Sequence, residues 1–234
     1  MIYLTGDTHR DFRRVADFCG RMDTNKNDIL VILGDVGINY IGNDTHKYPG
    51  HLNDENLKRL LNELPITLLC IHGNHEIRPE SLTAYEERVW NCGIVYVEPE
   101  FPNILFAKDG EIYELNGKRC IAIGGAYSVD KEYRLLKDMG WWADEQPSAE
   151  VKKRVEERLA AEKWQIDIIF SHTCPYKYIH QIFPFVYKDI DNSTEKWLDM
   201  VENKLDYSRW YCGHMHKTRV IDKVQFMYED FTEL

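Results

Sequence analysis

The 234-residue sequence holds no apolar run that approaches the roughly 20 residues a helix needs to cross a bilayer, so a membrane partner is not expected. It also lacks a basic and then apolar leader. MIYLTGDTH enters a strand pattern at once, which predicts a cytoplasmic protein. No Cys-x-x-Cys spacing occurs among the six cysteines, Cys19, Cys70, Cys92, Cys120, Cys174 and Cys212, which argues against a zinc knuckle or a disulfide framework. Scattered singly, they read as buried small hydrophobes in a reducing compartment. Positive charge is scarce as well: 29 Lys+Arg against 39 Asp+Glu leave a net charge of −10, and a chain without a basic face holds long duplex nucleic acid poorly. Repeats, low-complexity tracts and linkers are missing, so residues 1–234 are read as a single domain with one sizeable core.

What is present is a strand–helix alternation in an ordinary globular composition, 44% hydrophobic and 29% charged. MIYLTG reads as a strand, and DFRRVADFCGRM as a helix with Phe12, Val15, Ala16 and Cys19 on one face. DILVILGD and ITLLCIHGNH read as strands buried on both faces. ENLKRLLNEL, between them, carries Leu57, Leu60, Leu61 and Leu64 as an amphipathic stripe. In ILFAKDGEIYELNGKRCIAIGG the pairs Asp109-Gly110 and Asn116-Gly117 favour tight hairpins, predicting an antiparallel meander. SAEVKKRVEERLAAEKW follows as a helix capped by Ser148, QIDIIFSH as a strand, and STEKWLDMVENKL as a helix that Asn192 can cap. SRWYCGHMH and KVQFMYED close an α/β pattern, with sheets at the centre and helices outside.

Ionisable residues gather where the strands end. Asp7 and His9 follow the first, Asp35 the second, and Asn74, His75 and Glu76 the third; His172 and the pair His214 and His216 follow two later strands. In α/β sheets the crevice beyond the strand ends is where ligands bind. Two carboxylates, an amide oxygen and several imidazoles offer mixed N/O ligation, suited to a pair of divalent ions such as Mn, Fe, Zn or Ni. Asp35, with two oxygens, can serve both ions.

The ordered set GDTH, GDVG, GNHE, SH and GHMH, spread from residue 6 to residue 216, resembles the calcineurin-like metallophosphoesterases. The resemblance implies a four-layer αββα sandwich and two divalent metal ions. Asp7, His9, Asp35 and His216 would hold one ion, and Asp35, Asn74, His172 and His214 the other. It further implies in-line attack on phosphorus by a hydroxide that bridges the ions. His75 would be the general acid facing the scissile phosphate, with Glu76 its neighbour in the motif. The expected substrate is a phosphomonoester or phosphodiester: a small molecule, a nucleotide or a short single-stranded nucleic acid.

Two departures bear on the substrate. The protein serine/threonine phosphatases of this superfamily carry Asp-Arg-Gly shortly after the second motif, and GDVGINY has no arginine. The first motif ends in Arg10 where many members have glycine. Phosphodiesterase or nucleotide phosphatase activity is therefore favoured over protein phosphatase activity, and Arg10 and Arg78 are candidate phosphate contacts. A metal-binding scaffold without catalysis is the alternative from a different class; no ligand of the set is missing. Tyr127, Ser128 or Arg134 can line the cleft or form an ordinary connection. The aromatic segment with Tyr176, Tyr178, Phe183, Phe185 and Tyr187 can lid the site or pack on the body of the protein, and Trp141 and Trp142 can cap the site or anchor a core. His46, His51 and His180 lie off the strand ends, and His72 reads as a buried supporting residue.

Overall fold

A computed structural model of the chain describes residues 1–42, 48, 50–184 and 190–234. Its first half builds β1 (Ile2–Thr5), α1 (Arg13–Met22), β2 (Ile29–Ile32), α2 (Asp54–Glu63) and β3 (Thr67–Cys70). Next come β4 (Glu86–Trp90), β5 (Gly93–Val97), β6 (Ile104–Ala107), β7 (Ile112–Leu115) and β8 (Lys118–Ile123). The second half adds α3 (Lys131–Leu136), α4 (Ala149–Ala161), β9 (Ile168–Ser171), α5 (Ile179–Ile182) and α6 (Ser193–Glu202). The chain closes with β10 (Arg209–Cys212), β11 (Arg219–Ile221), β12 (Val224–Phe226) and β13 (Phe231–Glu233).

These strands form two mixed sheets, ordered β13-β1-β2-β3-β6-β5-β4 and β11-β12-β10-β9-β8-β7. Each has a parallel centre, β1-β2-β3-β6 in one and β8-β9-β10-β12 in the other, with antiparallel strands at its edges. Side chains alternate between faces along a strand, and the core divides accordingly. Val31, Leu69 and Leu105 of the first sheet pack against Tyr113, Ala122 and Phe170 of the second, a layer buried between the sheets. Leu30, Ile32 and Leu68 face outward onto Val15 and Phe18 of α1 and Leu57 and Leu61 of α2. Ile121, Ile169 and Trp210 face the other way, onto Val155 and Leu159 of α4 and Leu198 and Val201 of α6. The result is the four-layer αββα arrangement. On α1 and α2 the buried stripe omits Ala16 and Leu60, which are exposed, and includes Phe18.

The meander needs correction. Asn116 and Gly117, both with positive φ, turn a two-residue hairpin between β7 and β8, as expected. Asp109-Gly110 instead carries the chain from the first sheet to the second, since β6 and β7 lie in different sheets. Asp109 serves as a bracket there, its carboxylate accepting from the Gly124 amide and from Arg78. Ser148 caps α4 by accepting from the Val151 amide. Asn192 occupies the N-cap position of α6, yet its side chain donates to the Ile190 carbonyl. Five cysteines are buried; Cys92 is exposed.

Because the central strands of each sheet run parallel, their C-terminal ends lie on one side. Loops leaving β1, β2, β3, β9 and β10 meet there, bringing residues more than 200 positions apart into contact.

Candidate metal centre

Two groups of ligating side chains form at these strand ends. Asp7, His9 and His216 make one and Asp35, His172 and His214 the other, with the ligand atoms of each group within 4.8 Å of one another. In the first, His216 Nε2 lies 3.1 Å from Asp7 Oδ2 and 2.9 Å from His9 Nε2. In the second, His172 Nε2 lies 3.4 Å from Asp35 Oδ1 and 2.8 Å from Asn74 Oδ1. Asp35 stands between the groups: Oδ1 faces His172, while Oδ2 is 3.8 Å from His9 Nε2 and 3.9 Å from His75 Nε2.

The backbone is bent to achieve this. His9, Asp35, His214 and His216 all have φ between 44° and 61°, a region that side-chain-bearing residues seldom occupy. Gly34, at φ +95°, passes directly beside the His172 ring, and a Cβ there would overlap Nδ1. The carboxylates also hold the loops. Asp35 Oδ1 accepts from the amides of Asn74 and His75, and Asp7 Oδ1 from the amide of His214.

The donor set fits a cation. His172 Nδ1 is 2.9 Å from the Leu33 carbonyl oxygen, an acceptor, so in the neutral imidazole the proton sits on Nδ1 and Nε2 carries the lone pair. That lone pair faces Asn74 Oδ1, itself an acceptor. Two acceptors at hydrogen-bond distance repel unless a positive ion shares them. The orientation of Asn74 is set from behind. The Glu145 carboxylate accepts from the Ser128 hydroxyl, so the Ser128 oxygen accepts from Asn74 Nδ2 at 2.9 Å and Oδ1 is turned toward His172.

Burial opposes charge on Asp35, but His172, His75, His9 and His214 around it outweigh that and hold its carboxyl far below the usual range. Burial likewise opposes charge on Asp7, and the hydrogen bond from His216 with the nearby His172 overcomes it. Burial pushes His214 down to about 3 and lowers His75, which favours the lone-pair form of both rings. The hydrogen bond to Asp7 raises His216.

Other candidate residues fall elsewhere. Glu76 is fully buried with its oxygens accepting from the Gly37 and Gly73 amides, so it ties two loops together behind the site and does not face it. Arg10 is spent on Gly37, Asp54 and the Leu52 carbonyl. Arg78 is buried against Asp109 and the Asp144 carbonyl. Neither guanidinium is turned to the ligand groups, because each is held by a buried carboxylate, Asp54 for Arg10 and Asp109 for Arg78. Ser128 and Arg134 do reach the site: Arg134 Nη2 is 3.2 Å from His75 Nε2. His72 is buried with Nε2 on the Glu76 carbonyl, His51 stacks near Tyr48, and His180 contacts Tyr176. Trp142 packs on Tyr40, and Lys131 lies over Trp141. Tyr178 packs in the core over α6 with Tyr176 and Phe183 against it; His46, Phe185 and Tyr187 lie outside the described residues. Glu145 escaped sequence reasoning, since it follows no strand and carries no motif.

The sequence model described as calcineurin-like phosphoesterase matches residues 1–218. No curated protein matches the chain significantly. One solved chain aligns at 12% identity with a TM-score of 0.51, over 97% of this chain and 88% of its own length. A protein of unknown function from Aquifex aeolicus aligns at 18% identity and a TM-score of 0.33, covering 74% of this chain and 80% of that one. A candidate 5'-nucleotidase from Staphylococcus aureus, solved in complex with alpha-ketoglutarate, aligns at 12% identity and a TM-score of 0.48, over 97% of this chain and 48% of that one.

Proposed function

This chain belongs to the calcineurin-like phosphoesterase family, and we propose that it is a hydrolase that cleaves a phosphomonoester or phosphodiester with two divalent ions bound. The observation that carries this reading is the place of Asp35, one oxygen toward His172 and the other toward His9 and His75. Asp7, His9, Asp35 and His216 would hold one ion, and Asp35, Asn74, His172 and His214 the other. Manganese is the first choice for assay, and N/O donors of this kind also suit Fe, Zn and Ni. Bound ions of this type ionise water near neutral pH and neutralise phosphate oxygens.

The protein's own part is positioning and proton transfer. His75 stands at the mouth of the site, 16% exposed, with Nε2 beside Asp35 and Arg134. In the resting chain burial, with Arg134, lowers the ring's affinity for a proton against the pull of Asp35. A phosphate anion placed between them favours the protonated ring, and from there His75 donates to the leaving oxygen. The substrate reading is a nucleotide or another small phosphoester. The catalytic unit is taken as residues 1–234, supported by the pairing of β13 with β1, which joins the two ends of the chain.

The test is hydrolysis of p-nitrophenyl phosphate beside bis-p-nitrophenyl phosphate by metal-stripped protein refilled with Mn²⁺. Wild type is expected to turn over, with His75→Asn slower by roughly 10²–10⁴-fold and Asp35→Asn inactive. No turnover with Mn, Fe, Zn or Ni, despite two ions bound per chain, would overturn the reading in favour of a metal-binding scaffold.

A further inference from the structure

Arg134 lies on α3, the short helix between β8 and α4, and its guanidinium is almost fully committed. Nε donates to both carboxylate oxygens of Asp130, at 2.9 and 2.8 Å. Nη1 donates to the Tyr40 hydroxyl at 3.1 Å and the Gly140 carbonyl at 3.2 Å. Nη2 donates to His75 Nε2 at 3.2 Å. A guanidinium has five N–H groups, so among the described residues a single one, on Nη2, has no partner. It belongs to the same nitrogen that touches His75.

The partners also make this placement rigid. Tyr40 packs against Tyr48 and Trp142, with ring centroids 5.3 and 5.5 Å apart. Gly140 sits so close beneath Trp142 that a Cβ would press on its ring, and the Gly140 amide donates to the Tyr48 hydroxyl. The side chain of Arg134 is 11% exposed. A long, flexible residue has therefore been fixed before any ligand arrives, with one charged donor aimed beside the ring at the mouth of the site. Arg10 and Arg78 lack this geometry.

Resting on the phosphoesterase reading above, we propose that Arg134 binds a non-bridging oxygen of the substrate phosphate, with Asp130 and Tyr40 as the positioning residues that aim it. The free Nη2 hydrogen is a charged donor for one phosphate oxygen, beside the hydrogen now given to His75. On binding, the phosphate takes the Arg134 donor that His75 Nε2 now holds. The ligand class is a phosphate group with a free, negatively charged non-bridging oxygen.

The experiment compares wild type and Arg134→Gln, each loaded with Mn²⁺ and checked for bound metal, by calorimetric titration with inorganic phosphate and by kcat and KM for p-nitrophenyl phosphate. Arg134→Gln is expected to weaken phosphate binding roughly ten- to a hundredfold and to raise KM more than it lowers kcat, with metal content unchanged. Unchanged phosphate affinity in the variant would overturn the proposal. If Arg134→Gln does not fold, Arg134→Lys is read on the same criterion, since lysine keeps the charge and loses the planar guanidinium that Asp130 and Tyr40 aim. The two readings fail separately. Wild-type protein that binds phosphate through Arg134 but hydrolyses no ester overturns the function and keeps the subsite. Wild-type turnover with Arg134-independent phosphate binding does the reverse.

Discussion

Asn74 Oδ1 and His172 Nε2, from loops 98 residues apart, lie 2.8 Å from each other, each held from behind by a different element. His172 Nδ1 is 2.9 Å from the Leu33 carbonyl oxygen, and the Ser128 hydroxyl oxygen accepts from Asn74 Nδ2. Those two donor atoms converge beside the carboxylates Asp7 and Asp35, an arrangement that a cation would satisfy.

Metal binding is accordingly expected to stabilise the fold. A ligand at a hundred times its Kd adds about 2.7 kcal/mol per site, which for a chain of this size raises Tm by about 5–10 °C. Calorimetric melting with and without Mn²⁺, after stripping with a chelator, checks it. An unchanged Tm at saturating metal would show that the two groups do not bind ions in the folded state.

Ser128→Ala is expected to weaken one of two metal sites by roughly 10–100-fold and to leave the other near its wild-type affinity. Without the hydroxyl Asn74 Nδ2 loses its 2.9 Å acceptor, and the amide is held less firmly with Oδ1 toward His172. A Mn²⁺ titration that follows both sites measures this directly. Wild-type affinity at both sites would mean that Ser128 and Glu145 do not orient Asn74.

Glu76 is raised from its usual 4.5 to about 7, mainly by burial and then by Asp35, against the pull of two amide donors. A carboxyl raised in the folded state binds more protons than the unfolded chain does between those values. Its contribution to stability is therefore complete below about pH 4.5 and lost as pH rises to about 7, on the order of 3 kcal/mol in all. Urea unfolding of the metal-free protein at pH 5 and pH 8 should show wild type losing more stability across that interval than Glu76→Gln. Equal losses in both would remove Glu76 as the cause.

Much of this was legible in the sequence because parallel strands announce themselves. Continuous β-branched runs such as DILVILGD have a single plausible fate, and the residue after each run is placed at the strand end by that fact alone. Hence Asp7, Asp35, Asn74, His172 and His214 could be named together. Side-chain direction was not legible. Arg10 and Arg78 lie close to the motifs in sequence, but their partners Asp54 and Asp109 turn them aside. Arg134 and Glu145 follow no strand, and the fold alone brings them to His75 and Ser128. The hairpin between β4 and β5 turns on Asn91 and Cys92, both with positive φ, without the glycine that usually marks such a turn. Asp109-Gly110 carried that mark and made a crossover.

Gly34→Ala concentrates the local and the long-range constraints in one methyl group. The residue needs φ +95°, which alanine tolerates poorly, and its Cβ would enter the space of the His172 ring. Neither neighbour can yield cheaply. His172 is fully buried and held by the Leu33 carbonyl, and the backbone at Asp35 is already at φ 44°. The expected result is a loss of more than about 2 kcal/mol in urea unfolding, together with loss of the metal site that includes His172. Gly42→Ala is the control, since Gly42 also has positive φ but nothing within 4 Å of the added methyl. If both variants lose stability equally, backbone strain alone is responsible and His172 needs no such close approach. If only Gly34→Ala loses metal, the glycine before Asp35 is there to let the ring of a distant strand reach the second strand's end.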